Sequence, residues 1–510
     1  MSTKIILIAA TVLAIHGMAA DRVKTASGIV EGTTDATSHV RSFEGIPFAA
    51  PPVGPLRWKP PQPAAKWKGV RPATAFGSRC MQGNVFGDMI FRDPGISEDC
   101  LYLNVWTPAA SAKANLPVMV WIYGGGFVGG AASEPRQDGR DLAKHGVVLV
   151  SFNYRLGVFG FLSHPGLTAE SAHHASGNYG MLDQVAALEW VRKNVAAFGG
   201  NPRNVTIFGE SAGSFAVSAL MASPLSQGLF HKAIGESGAF FSDTLQAKPL
   251  AESEKAGVKL GEAMHADSIA KLRAASAADV LEAASKEGPF SFGPNIDGYY
   301  LTEAPAATFA AGKQSHVPLL AGWNAGEGSY DPKVTAESFA KKAQETYGDK
   351  AAEFLKLYAA GTDEEARQSA ADLSGDHFIA FSTWKWIEAQ LATGQSPVFR
   401  YRFDQAPPLE EGKEGHAVAY HSAEIEYVFG ALASKKLPWR PEDWKLSTLM
   451  STYWSNFAKT GNPNGAGLPQ WPAYDSAGGY AVMHLVDESS RAEPDSHRAR
   501  YQFLEAWGRK

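Results

Sequence analysis

The chain has 510 residues, 45% of them hydrophobic and 19% charged, with a formal net charge of -5 at pH 7. Such a balance supports a large buried core. Acidic and basic residues are mixed along the sequence without a basic stripe, which excludes nucleic acid as an expected partner. Length alone would allow about three domains.

Residues 1–20 read as a secretory signal, with Lys4 as a minimal positive region, an apolar core over residues 5–15 and small residues at Met18, Ala19 and Ala20. That core is too short to span a bilayer comfortably, which leaves an uncleaved anchor as the alternative, and no later segment is apolar enough for stable membrane insertion. The expected product is an exported chain, secreted or periplasmic, whose mature part is residues 21–510.

Residues 116–123 form an apolar predicted strand that runs directly into Gly124, Gly125 and Gly126. Glycines there let backbone N–H groups approach a ligand without interference from a Cβ. Residues 205–208 are a second apolar, β-branched predicted strand, and residues 214–221 read as helix. Between them stand Gly209, Glu210, Ser211, Ala212 and Gly213. A serine between two glycines at a strand-to-helix turn is a nucleophile elbow, which lifts its hydroxyl clear of the sheet. Ser211 is therefore the candidate nucleophile, with the N–H groups of Gly125, Gly126 and Ala212 as the candidate oxyanion hole. A near-copy, Gly235, Glu236, Ser237, Gly238 and Ala239, lacks the second glycine spacing, and Ser237 reads as structural.

Ala-, Lys- and Glu-rich helical stretches follow between about residues 245 and 371, one opening with a capping box at Thr362 and Glu365. They read as insertions above the sheet, forming the walls of a gorge. A further strand is expected over residues 317–322. Beyond it Glu327 sits between Gly326 and Gly328, where an open sheet collects functional groups, and is the candidate acid. Among 14 histidines His421 stands out, although on residue physics alone His416 or His377 could equally be the base. A serine, acid, histidine order fits an α/β-hydrolase arrangement. Since the candidates run from Ser211 to His421, these segments belong to one catalytic domain.

Together these motifs resemble the type B carboxylesterase family, which includes cholinesterases, carboxylesterases and bacterial p-nitrobenzyl esterases. Further landmarks lie at residues 43–57, 97–104, 153–157, 178–184, 324–328, 421–430 and 456–463, so the resemblance covers nearly all of the mature chain. It implies an α/β-hydrolase fold with a large, mostly parallel central sheet and helices on both faces. It assigns Ser211 as nucleophile, Glu327 as triad acid and His421 as base, with the hole at Gly125, Gly126 and Ala212. Ala325 and Gly326 stand where the family often has an acidic pair. Cys80 and Cys100, the only two cysteines, match a family disulfide, as an even, close pair in an exported chain would. Arg57 and Glu98 match a structural ion pair. No cofactor and no metal are called for.

The implied activity is hydrolysis of a small-molecule carboxylic ester through an acyl-enzyme. Phe127, Phe240, Phe241, Phe290 and Phe292 are candidate pocket walls for an apolar acyl or aryl group. Cholinesterases hold choline over a tryptophan in the cysteine loop. Residues 81–99 contain no tryptophan, only Phe86, Met89 and Phe91 as comparable groups, which speaks against choline esters. A specialised aryl-ester, toxin or xenobiotic esterase is the narrower alternative. A non-catalytic adhesion or binding protein on the same fold is the alternative of another class; such relatives lose the serine, which this chain retains. Activity is expected to fall around pH 6–7 as a histidine base protonates.

Overall fold

A computed structural model describes residues 21–508 apart from 242–244 and 414. The expected signal segment, residues 1–20, lies outside the described residues. The apolar runs read from the sequence form the centre of an eleven-stranded sheet. In chain order its strands are β1 (Thr33–Thr34), β2 (Arg41–Pro47), β3 (Tyr102–Thr107), β4 (Leu116–Ile122), β5 (Val148–Phe152) and β6 (Gly200–Glu210). They continue as β7 (Lys232–Glu236), β8 (Leu319–Asn324), β9 (Val398–Phe403), β10 (Ala481–Leu485) and β11 (Arg491–Pro494). Across the sheet the order is β11-β10-β9-β8-β7-β6-β4-β5-β3-β2-β1.

The strands from β5 through β4, β6, β7, β8 and β9 to β10 are parallel, and both edges are antiparallel. A parallel sheet is covered on both faces, so its strands are apolar throughout rather than alternating. Val118, Val120, Ile207, Phe208, Leu320 and Ala321 are accordingly fully buried. The α/β-hydrolase architecture expected from the resemblance is the one observed. The strand expected over residues 317–322 lies two residues later, because Pro318 precedes the sheet pairing that starts at Leu319.

Helix α1 (Tyr179–Asn194) carries Asp183, which receives the Arg155 guanidinium through Nη2 at 2.7 Å in a buried ion pair. Two sequence landmarks thus meet for structural reasons. Helix α2 (Ala212–Ala222) is buried along its whole length against β6, β7 and β4. Within the expected insertion are helices Leu250–Ala263, Ala277–Lys286, Ala336–Tyr347 and Asp363–Gly375, but the central strand β8 divides them into two groups. The second group packs Phe339, Tyr347, Phe354 and Tyr358 against Phe503 and Leu504 of the last helix, forming a core apart from the main one. Thr362 and Glu365 close the capping box read from the sequence. Cys80 and Cys100 are joined by a disulfide. Arg57 meets both carboxylate oxygens of Glu98 at 2.6 Å. Among the described residues no helix is long and apolar enough to cross a membrane.

Candidate active site

Three of the candidate segments stand just beyond the carboxyl ends of parallel strands, where open α/β sheets gather ligand-binding groups. Gly124 to Gly126 follow β4, Ser211 follows β6, and Glu327 follows β8. His421 lies on the long connection after β9. Ser211 has φ 54° and ψ -124°, outside the usual region for a side-chain-bearing residue. Such strain persists only where surrounding structure enforces it. Here the enforcement is close packing of α2 against β4: a Cβ on Gly213 would lie 1.9 Å from the Ile122 carbonyl oxygen. Gly125, at φ 102°, adopts a backbone conformation reserved for glycine. The N–H groups of Gly125, Gly126 and Ala212 donate no hydrogen bond to any described residue.

His421 Nε2 lies 2.9 Å from Ser211 Oγ, and its Nδ1 lies 2.7 Å from Glu327 Oε2. In the neutral imidazole a proton on Nδ1 would be accepted by Glu327, leaving Nε2 as the acceptor for the serine hydroxyl. His421 is the only histidine among the described residues lining the cavity above Ser211; His416 and His377 are exposed outside it. The Glu327 side chain is 2% exposed, and its Oε1 accepts the Ser237 hydroxyl at 2.6 Å and the Asn324 backbone N–H at 3.0 Å. Two donors on one oxygen fix the carboxylate and keep the other oxygen for the imidazole.

Sequence reading assigned no role to several neighbours of this arrangement. Ser237 is structural in the sense expected, but what it holds is the carboxylate of Glu327. Its φ of 58° repeats the strained turn of Ser211 one strand away, at the end of β7, a kinship legible in the repeated Gly-Glu-Ser. Glu210, the residue before Ser211, places Oε1 3.2 Å from His421 Nε2. Glu424, three residues after His421, accepts Asn324 Nδ2 at 2.6 Å. Burial pushes Glu210 up to about 7, tempered by His421 and Arg136, while Glu327 pushes the same way. Burial also raises Glu424, and the nearby carboxylates of Glu210, Glu236 and Glu327 add to it. For His421 burial acts downward, but Glu210, Glu327 and Glu424 outweigh it and raise the imidazole to about 10. The layer beneath the histidine is acidic.

The cavity has a volume of about 410 Å³, with apolar walls from Phe86, Met89, Phe290, Phe378 and Ile379. Of the five phenylalanines singled out in the sequence, Phe290 alone reaches it. Phe127 and Phe292 line an adjoining space of about 270 Å³, and Phe240 and Phe241 belong to the core. Phe378 stands edge-on to His421 at 5.2 Å, presented by the π-helical turn Asp376–Ala380.

A family model described as the carboxylesterase family matches residues 19–504. The para-nitrobenzyl esterase of Bacillus subtilis (strain 168) is 40% identical over 94% of this chain and 98% of its own. The fumonisin B1 esterase of Sphingopyxis macrogoltabida is 40% identical over 89% of this chain and 84% of its own. Among solved structures, a Geobacillus stearothermophilus carboxylesterase superposes with a TM-score of 0.80 at 34% identity, covering 96% of this chain and all of that one.

Proposed function

Because the chain belongs to the carboxylesterase family and is a carboxylic ester hydrolase, we propose that Ser211, His421 and Glu327 carry out that hydrolysis through an acyl-enzyme. The observation that carries this reading is the continuous relay from Ser211 Oγ through both ring nitrogens of His421 to Glu327, at 2.9 Å and 2.7 Å. His421 Nε2 takes the hydroxyl proton as Ser211 Oγ adds to the ester carbonyl carbon. The carbonyl oxygen becomes an anion facing the undonated N–H groups of Gly125, Gly126 and Ala212, each such donor being worth about 10²–10³ in rate. The imidazolium returns its proton to the departing alkoxide, leaving Ser211 acylated. Water then repeats the sequence and releases the acid. Glu327 holds the imidazole in the required tautomer, a role worth about 10⁴ in a serine protease.

The same reading makes residues 21–510 one catalytic domain bearing helical insertions, and residues 1–20 an export signal that delivers it outside the cytoplasm. The substrate is a small-molecule ester with an apolar portion, in keeping with the cavity walls.

Covalent labelling tests the assignment. A fluorophosphonate should add to Ser211, read by mass spectrometry of the peptide, and Ser211→Ala should abolish both labelling and turnover, by about 10⁶-fold. The substituted protein should retain its circular dichroism spectrum. Substantial ester hydrolysis by a folded Ser211→Ala protein, or labelling at another serine, would overturn the reading.

A further inference from the structure

The cavity above Ser211 holds a cation that the reaction just described does not use. Arg136 lines it from the short turn Pro135–Gln137. Its side chain is 9% exposed. Nε donates to Glu134 Oε2 at 2.8 Å and Nη1 to Ser422 Oγ at 3.4 Å, while Nη2 has no hydrogen-bond partner among the described residues. Other charges nearby are engaged elsewhere. Glu426 is held by Lys435 at 2.6 Å, and Glu210 faces His421. What remains on the open side is Asp88, 4.0 Å from Nη1 and 65% exposed.

A pair that long, with one partner in solvent, is weak and easily exchanged. A guanidinium edge within a largely apolar cavity is, by contrast, suited to bidentate capture of a carboxylate. Phe86, Met89, Phe290 and Phe378 supply the apolar walls of the same space.

We infer that Arg136 is a specificity-determining residue that takes a free carboxylate on the substrate, displacing Asp88 from the guanidinium. The site then favours esters with an apolar span ending in a carboxylate: hemiesters of dicarboxylic acids, or esters of carboxylated alcohols. This rests on the proposed reaction at Ser211, and the test separates the two.

Two substrate pairs differ in one charge. Comparing 4-nitrophenyl hydrogen adipate with 4-nitrophenyl hexanoate places the carboxylate on the acyl side. Comparing 4-carboxyphenyl butyrate with phenyl butyrate places it on the alcohol side. The quantity read is the ratio of kcat/KM for the charged ester to that for its neutral partner. For at least one pair, Asp88→Asn should raise the ratio about threefold by removing the competing anion. Replacing Arg136→Gln together with Glu134→Gln should lower it about tenfold or more. The double substitution avoids leaving Glu134 buried and unpaired. Should it still fail to fold, the exposed Asp88 variant and product inhibition decide: adipate should inhibit neutral-ester hydrolysis more strongly than hexanoate does, and more strongly still in Asp88→Asn. Ratios unmoved by Asp88→Asn in both pairs, with adipate no better an inhibitor than hexanoate, would overturn the inference. Failure of the wild-type protein to hydrolyse the neutral esters would instead overturn the reaction proposed at Ser211.

Discussion

Two carboxylates compete for one imidazole: Glu327 meets His421 at Nδ1 and Glu210 approaches Nε2. An ordinary histidine base would lose activity as pH falls through about 6–7. These anions favour the imidazolium and raise His421 to about 10, so the acid limb of the rate profile is expected above that range. Glu210→Gln removes one of the anions, lowers the histidine and should shift the acid limb of log kcat/KM to lower pH; an unmoved or upward-shifted limb would show that Glu210 does not act on the base. Ser237 offers a second check. Its hydroxyl holds the inner oxygen of Glu327, and a hydrogen bond to a charged group is worth about 1.5–3 kcal/mol. Ser237→Ala should therefore reduce kcat about tenfold, while a Tm within a degree or two of wild type and an unchanged rate would mean that the Asn324 N–H alone suffices. Ser211 was legible because its flanking glycines are a local signature. The part played by Ser237 was not, because its meaning depends on β7 lying beside β6 and β8, which no local pattern records.

Strand β6 and helix α2 form the strained turn that carries Ser211, and Gly213 sets how closely they pack. A methyl group there would strike the Ile122 carbonyl at 1.9 Å, and that oxygen belongs to the central strand β4, which has nowhere to move. Overpacking of this kind costs about 1–3 kcal/mol and sometimes more. Gly213→Ala should lower the Tm by several degrees and cut activity by more than its unfolded fraction accounts for, since α2 must shift and carry Ala212 with it. A variant with wild-type Tm and rate would show that the contact is soft. The central strands could be read from sequence because burial on both faces leaves uninterrupted apolar runs, as over residues 118–122 and 205–208. The π-helical turn Asp376–Ala380 could not, since a single widened turn of five residues is too short for hydrophobic spacing to reveal. Phe378 reaches His421 through that turn. Of the phenylalanines chosen for their nearness to motifs, Phe240 and Phe241 were instead absorbed by the core.

The pocket joins segments hundreds of residues apart, and one wall comes from the loop that the Cys80–Cys100 disulfide closes. That pair could be read from cysteine number and spacing, whereas the arrival of Phe86 and Met89 beside Ser211 follows from how the loop folds back over the end of β4. Met89 lies against Gly125, and Phe86 against Gly129. With a sequence separation of 20 between its ends, the bridge restricts the unfolded chain by about 3 kcal/mol. It also keeps two apolar side chains over a cavity they line without touching His421 or Ser211 through any hydrogen bond. These two effects separate in measurement. Replacing both cysteines by alanine should lower the free energy of unfolding in urea by about 3 kcal/mol. It should also raise KM for an apolar ester more than it lowers kcat, because binding surface loosens while the relay from Ser211 to Glu327, carried by β6, β8 and the segment after β9, remains assembled. A fall in kcat at constant KM would place the loop's influence on the chemistry instead, and unchanged stability would mean the denatured chain is already compact across this span.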